Sequence, residues 1–144
     1  MDDEHPLAQD LGFLLSRASG VFAKTASEAL APLGLRVRSY SVLAFAGEEK
    51  AGVTQRRLAE LIGLDPSQVV ALVDELESSG LVKRVTDPND RRSKLVSATA
   101  KGNRVRTDGS RRIAEAQSGI MAEVAPETQV ELNALLRQLL FPKE

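Results

Sequence analysis

Apolar residues recur at helical spacing at both ends of the chain. They follow this spacing from Leu7 to Phe22, which predicts a first helix over 6–30 that Pro32 and Gly34 end. Towards the other end the pattern returns over 113–124 and again over 132–140, with Pro126 between the two stretches. We therefore expect two further helices there, the last one unusually rich in leucine.

Between these ends, the pattern predicts a helix over 37–46 followed by two short helices. Gly47 and Gly52 are expected to end the helix over 37–46, and Thr54 is a suitable N-cap for the next one, which Gly63 closes. Asp65 and Pro66 then open a third helix, because they pair a preferred capping residue with the residue favoured at the first helical position. Its apolar positions have the i, i+3, i+4, i+7 spacing of one buried face, and they are Val69, Leu72, Val73 and Leu76.

After Gly80 the apolar period changes from about 3.6 to 2. The segments 81–86 and 95–98 are rich in valine and threonine, and they flank Asp87-Pro88-Asn89-Asp90, a turn-forming string. This pattern predicts a β-hairpin, so the element order is α-α-α-α-β-β-α-α. Two short helices followed by a hairpin form a winged helix-turn-helix, and the expected fold is mainly α with a small β-hairpin wing.

Composition narrows the possible chemistry. A chain of 144 residues with 42% hydrophobic and 27% charged residues suits one folded domain, 1–144. It has no cysteine, which excludes disulfides and thiolate chemistry, and its single histidine is His5. We therefore expect neither an enzyme nor a protein with a metal site or cofactor.

No window approaches the length of apolar sequence that a membrane span needs. The acidic start, Asp2-Asp3-Glu4, is the reverse of the basic head of a signal peptide. These two features predict a cytoplasmic protein.

The net charge of −1 hides a strong asymmetry. Residues 1–80 carry 7 basic and 12 acidic side chains, residues 81–112 carry 10 and 3, and residues 113–144 carry 2 and 5. The middle block has the local positive charge that binding to a polyanion requires, although a solvated surface would have the same composition.

The helix over 65–79 is the predicted recognition helix, since a rod of this kind fits the DNA major groove. Its candidate base-reading side chains are Ser67, Gln68, Val70 and Ala71. Gln68 can pair with adenine and Val70 or Ala71 can pack on a thymine methyl group. The alternatives are that Gln68 caps its own helix and that Val70 covers the core. Separately, the negative charge of Asp74 and Glu75 is expected to repel phosphate.

The predicted wing, 81–98, carries Asp90, Arg91 and Arg92 at its tip. Arginine suits a narrow minor groove because its guanidinium is planar and weakly hydrated. Asp90 could form a bidentate pair with one arginine and so orient the tip. The alternative is an exposed salt bridge of little energetic value.

Four strings of this sequence resemble the MarR family, the multiple antibiotic resistance regulators. They are Leu-Ala-Glu-Leu-Ile-Gly-Leu (58–64), Val-x-x-Leu-Val-Asp-x-Leu-Glu-x-x-Gly-Leu-Val (69–82), Asp-Pro-Asn-Asp-Arg-Arg-Ser-Lys (87–94) and Thr-x-Lys-Gly (99–102). The resemblance implies a homodimer that reads a pseudo-palindromic DNA site, with Arg92 entering the minor groove. The chain departs from the pattern at Val70 and Ala71, where many members have threonine or arginine.

The remaining predictions concern assembly and ligands. The terminal segments 6–34 and 112–144 are expected to form a dimerisation region, because they carry more apolar surface than the winged unit, residues 36–100, can hide. Candidate phosphate contacts are Arg36, Arg38, Gln55 and Arg84. A small phenolic or aromatic acid is a candidate effector, since many relatives bind one, and its expected pocket residues are Phe13, Arg17, Tyr40 and Phe45. Aromatic residues at helical spacing are also common in a core.

These features are compatible with two functions. The first is a homodimeric, sequence-specific regulator of transcription that binds double-stranded DNA, acting as a repressor. The alternative is a winged-helix module that binds another protein and no DNA, because fold alone does not determine function.

Overall fold

Six α-helices and three β-strands follow one another along residues 5–143, the part of the chain that this computed structural model describes. The helices are α1 (Leu11–Leu30), α2 (Val37–Glu48), α3 (Gln55–Ile62), α4 (Pro66–Ser78), α5 (Ala100–Ile120) and α6 (Pro126–Leu140). The strands are β1 (Val53–Thr54), β2 (Val82–Asp87) and β3 (Asp90–Ala98). The predicted winged helix-turn-helix fold is confirmed, with β1 as an additional strand. The acidic start at residues 2–4 lies outside the described residues.

The first predicted helix consists of two pieces. Pro6–Gln9 is a 3-10 helix, and α1 begins after Asp10, whose side chain accepts a hydrogen bond from the Phe13 N–H at 2.7 Å. This N-cap satisfies an otherwise unpaired amide and restarts the helix in α geometry. Gly34, with φ of 70°, ends the segment as predicted.

Helix α2 continues through Gly47 to Glu48, so the prediction that Gly47 ends it is wrong. A Cβ atom at Gly47 would collide with the guanidinium of Arg106 on α5. Glycine at this position therefore makes room for the Arg106 side chain against α2. Gly52, with φ of 90°, does turn the chain as predicted.

The sheet is antiparallel with strand order β1-β3-β2. Val53 pairs with Val96 and Thr54 with Leu95, so β1 widens the base of the hairpin. Strand β3 begins at Asp90, five residues before the predicted Leu95. The early part of this strand is polar and exposed, so it has no apolar alternation to indicate a strand.

The core lies inside the winged unit. Its largest fully buried side chains include Leu30 from α1 and a set from α2, α3, α4 and the wing, namely Val42, Leu43, Leu58, Val69, Val73, Leu76, Val82 and Val96. The predicted buried face of α4 is confirmed, and Leu72 completes it. Each such side chain contributes about 1.5–3 kcal/mol through burial.

A tight junction joins the end of α4 to the start of α5. Thr99 donates its hydroxyl hydrogen to the Gly80 carbonyl at 2.6 Å and accepts a hydrogen bond from the Gly102 N–H at 3.0 Å. A Cβ atom at Gly102 would overlap the Leu81 carbonyl oxygen, so the two segments lie in backbone contact. Gly80, with φ of 72°, provides the turn predicted there.

Candidate nucleic-acid interface

Helices α3 and α4 form the helix-turn-helix. Thr54 caps α3 by accepting a hydrogen bond from the Arg57 N–H at 3.1 Å, and Gly63 ends it with φ of 74°. Asp65 and Pro66 then open α4, as predicted. The sequence therefore fixes both ends of the turn by ordinary capping chemistry.

The first two turns of α4 expose small side chains. Ser67, Val70 and Ala71 are exposed, and Val70 keeps 39% of its surface, so the alternative that it covers core is wrong. Gln68 takes the capping alternative, because its Oε1 accepts a hydrogen bond from the Asp65 N–H at 3.1 Å. A bidentate contact between Gln68 and adenine would require this bond to break.

A phosphate contact would require the Arg84 side chain to project into solvent, but its guanidinium is held within the protein. Its guanidinium donates to Asp74 Oδ1 at 2.6 Å, to Glu77 Oε1 at 3.1 Å and to the Val70 carbonyl at 3.4 Å. Its Nε donates to Gln55 Oε1 at 3.0 Å. The side chain is only 19% exposed. Arg84 therefore connects the wing to α4 and to the first turn of α3, and both it and Gln55 are engaged within the protein.

The two predicted phosphate contacts at the start of α2, Arg36 at its N-cap and Arg38 in its first turn, differ from one another. Arg36 donates to Glu75 Oε2 on α4 at 2.6 Å, although both side chains remain largely exposed. Arg38 is exposed, and residues 5–143 offer its side chain no hydrogen bond or ion pair. Of the three arginines predicted to contact phosphate, Arg38 is thus the one whose guanidinium is unpaired.

The wing tip contains a bulge. Thr86 pairs with Lys94 whereas Asp87 pairs with Asp90, so residues 91–93 have no partners on β2. Such a bulge bends the strand and redirects its side chains. Arg91 and Arg92 are exposed, and their side chains form no ion pair or hydrogen bond with any part of the chain that the structure describes.

Asp90 fixes this tip by another contact than the predicted one. Its Oδ1 accepts a hydrogen bond from the backbone N–H of Arg92 at 3.0 Å, instead of pairing with a guanidinium. Asp87 likewise accepts from the Asn89 N–H at 2.9 Å. The two aspartates stabilise the backbone of the turn and the bulge, and both guanidinium groups stay available.

The electrostatics of the exposed α4 face follow from these contacts. Asp74 and Glu75 were expected to repel phosphate, but Asp74 pairs with Arg84 and Glu75 with Arg36. The third acid of α4, Glu77, is also paired with Arg84. Sequence reasoning missed this neutralisation because the partners are 7 to 39 residues apart. Among the residues predicted to contact DNA, the arginines without an ion pair in residues 5–143 are therefore Arg38, Arg91 and Arg92.

A second charged cluster lies on α5, away from the wing. Arg111 donates to Asp108 at 2.6 Å and to Glu115 at 3.1 Å, and Arg112 donates to Asp108 at 3.2 Å. The hydrogen bond from Arg111 is the main cause that lowers the pKa of the Asp108 carboxyl. Each bonded pair is three or four residues apart, about one helical turn, which is the spacing at which side chains meet on the surface of a helix.

The predicted effector residues lie in two different surroundings. Tyr40 and Phe45 pack against the core, and a Cβ atom at Gly109 would lie 2.9 Å from the Tyr40 ring. Phe13 is half-buried and Arg17 is exposed, both on α1. For the two α2 aromatics, the alternative reading as core residues describes the structure better.

The α1 and α6 helices, called here the helical end, leave apolar surface uncovered. Leu11 is 70% and Leu135 61% exposed, and no residue of α6 is buried. A groove of about 510 Å³ separates the two helices, with lining residues Leu15, Ala18, Ser19, Phe22, Met121, Gln129, Leu132, Asn133 and Leu136. Gln129 joins α6 to the connection that follows α5 by donating to the Met121 and Val124 carbonyls at 3.2 and 2.9 Å.

Residues 5–143 contain neither a membrane-spanning helix nor a cluster of metal-binding side chains. No helix there has the length and apolar character to cross a membrane. No group of three or more histidine, aspartate or glutamate side chains in that range is placed to hold a metal ion.

Comparison with known proteins adds to this geometry. A family model described as MarR family matches residues 33–93, which include α2, the helix-turn-helix and most of the wing. The chain is also 27% identical over 135 residues to a helix-turn-helix transcriptional repressor of Mycobacterium tuberculosis, covering 92% of this chain and 96% of that protein.

Two solved structures are similar over almost the full length. A transcriptional regulator of the MarR family from Rhodococcus sp. RHA1 is 45% identical, with a TM-score of 0.93, covering 97% of this chain and 99% of that one. CouR from Rhodococcus jostii RHA1, solved with p-coumaroyl-CoA, is 45% identical with a TM-score of 0.91, covering 98% and 99%.

Proposed function

The chain belongs to the MarR family of transcriptional regulators, and we propose that it is a homodimeric repressor that binds a pseudo-palindromic operator in double-stranded DNA. One observation carries the proposal: the bulged wing presents Arg91 and Arg92 unpaired beside a helix whose acidic side chains are neutralised within the protein. A protein with that surface can approach phosphate without repulsion from its own recognition helix. Such a role places the protein with the chromosome, in the cytoplasm.

In this proposal each part of the interface has a separate task. Helix α4 enters the major groove, and the bulge directs Arg92 towards the adjacent minor groove. Arg38 contacts phosphate, and so does the N-terminal turn of α3. Arg36, Gln55, Arg84 and Asp90 hold these elements in position, since the structure engages them within the chain.

The proposed dimer rests on the helical end, because a second copy would cover the apolar side chains that α1 and α6 expose. Two-fold symmetry would then place two copies of α4 about 34 Å apart, one turn of DNA. The segments 6–34 and 112–144 are the proposed dimerisation region, and the winged unit, residues 36–100, is the part proposed to bind DNA.

The test starts from a duplex selected from a random pool and titrated at several salt concentrations. Specific binding should weaken with a slope of about −0.9 per phosphate neutralised. Arg92→Ala should lose about 1–3 kcal/mol of binding free energy. Lys24→Ala, which removes an exposed cation from α1, is the matched control and should change little. Failure to select any duplex would contradict the proposal and leave a protein-binding module.

We also propose that an aromatic acid or its coenzyme A thioester relieves DNA binding. The support is the 45% identical CouR, whose structure holds p-coumaroyl-CoA. Arg17, exposed on α1, is the proposed partner of the anionic group, and Phe13 is its aromatic neighbour. Calorimetry with p-coumarate, salicylate and p-coumaroyl-CoA tests this role, and Arg17→Gln should weaken binding where Lys24→Gln does not. No heat from any of the three ligands would contradict it.

A further inference from the structure

The exposed half of α4 has few polar groups left for reading bases. Gln68 Oε1 is used by the Asp65 N–H, and Glu75 is paired with Arg36 at 2.6 Å. Asp74 and Glu77 are both held by Arg84. Long side chains that could form bidentate hydrogen bonds with a base are thus committed elsewhere.

What remains free at the start of α4 is small and mostly apolar. Ser67, Val70 and Ala71 are exposed on its first two turns, and their side chains form no hydrogen bond within the described residues. The Val70 position is fixed further, because its carbonyl accepts a hydrogen bond from Arg84. The isopropyl group of Val70 and the methyl group of Ala71 therefore form a rigid apolar patch, with one hydroxyl beside it.

We propose that this patch selects the operator half-site by packing on the C5-methyl group of a thymine. The proposal rests on the proposed operator binding and names the feature that the recognition helix reads. Among the four bases only thymine presents a methyl group, and it does so in the major groove. Adenine or guanine reading would instead need a free bidentate amide or guanidinium, and the one amide of this face, Gln68, already accepts a hydrogen bond from the Asp65 N–H.

The DNA side of the test needs no protein variant. In the selected duplex, each thymine is replaced in turn by deoxyuridine, which lacks only the methyl group, and each purine by its 7-deaza analogue, which lacks the N7 acceptor. At about 0.8 kcal/mol per buried methyl group, uracil at the contacted position should weaken binding about fourfold, or about 15-fold when both half-sites are changed. The 7-deaza substitutions in the region read by α4 should change binding less than twofold.

The protein side uses two matched valines. Val70→Ala should reduce the uracil penalty, because most of the apolar contact at this position is already lost. Val85→Ala is the control, since Val85 is also 39% exposed but lies on the wing, where no thymine methyl group is within reach. Circular dichroism checks that both variants fold, and the DNA substitutions test the proposal even if one does not.

The outcomes separate this inference from the proposed function. A protein that selects no duplex contradicts operator binding itself. A protein that binds its operator but loses as much affinity with 7-deazapurines as with uracil overturns only the methyl readout. An undiminished uracil penalty in both Val70→Ala and Ala71→Gly also overturns it, because the methyl group must then contact a residue outside the patch.

Discussion

The winged unit and the helical end treat their apolar side chains in opposite ways. In the winged unit, leucines and valines from α2, α3, α4 and the sheet are buried to within a few per cent of their surface, and its recognition helix has its acids paired. In the helical end, leucines of comparable size lie open to solvent on α1 and α6. The first region buries its apolar side chains within one chain, whereas the second leaves them uncovered.

The largest effect is expected from a charge placed on the exposed face of α6. Leu135→Asp should prevent the helical ends from associating, because a second copy would have to bury the new carboxylate unpaired. We expect the mass in sedimentation to fall to that of a monomer and operator affinity to fall at least 100-fold, since two linked half-sites become separate. Val85→Asp on the wing is the control for the mass measurement and should remain dimeric, whereas a dimeric Leu135→Asp protein would show that α6 is not part of the interface.

The next largest effect should come from the core of the winged unit. Leu43→Ala removes a fully buried side chain, so it should lower the free energy of unfolding by about 2–5 kcal/mol. The loss should appear in urea denaturation at every protein concentration, because this core lies within one chain. Val85→Ala, at a half-exposed site, should cost less than about 0.5 kcal/mol. Equal losses from the two substitutions would contradict the assigned burial.

A third substitution tests whether the wing and α4 act as one piece. Arg84→Met removes the guanidinium that connects Asp74, Glu77 and Gln55, and hydrogen bonds to charged groups are worth about 1.5–3 kcal/mol. We expect a stability loss of about 1–3 kcal/mol and weaker operator binding with an unchanged dimer mass. Arg84→Lys keeps the charge but not the forked geometry, so it should recover only part of the loss. Unchanged binding in Arg84→Met would mean that the connection is not needed.

The smallest effect concerns the charged cluster on α5, which lies between the two regions. The hydrogen bond from Arg111 lowers the Asp108 pKa, so the carboxyl should titrate below its ordinary value of about 3.9. Its stabilising contribution is therefore present above that ordinary value and is lost as the pH falls through the lowered pKa. Carbon NMR of the carboxyl measures the midpoint, and Arg111→Gln should raise it. A midpoint unaffected by Arg111→Gln would contradict this cause.

Sequence reasoning succeeded where local chemistry decides the structure. Thr54, Gly63, Asp65 and Gly80 each act at the helix end where they were expected, because capping depends on neighbours within a few residues. It failed at Gly47, whose role depends on Arg106 from a distant helix. The two-residue strand β1 is too short to give any alternation, so its existence depends on pairing with β3.

In the candidate site, too, the sequence predicted local features but not the contacts between residues that are far apart along the chain. The exposed residues of α4 and the wing arginines lie where the pattern placed them, because exposure follows from helical period and turn position. The partners of Arg84, Arg36 and Asp90 were not predicted, because sequence alone does not tell which surface charges meet. Residues expected to touch DNA directly thus include several that position others.

The junction at Thr99 has a mechanical consequence. Its hydroxyl links the end of α4 to the first turn of α5, with the Leu81 carbonyl in contact with Gly102 and the Lys101 ammonium donating to Ser79 at 3.1 Å. Because these contacts join α4 closely to α5, a tilt of α5 should move the whole winged unit with it as one rigid body. In the proposed dimer, such a tilt would change the distance between the two winged units without unfolding either of them.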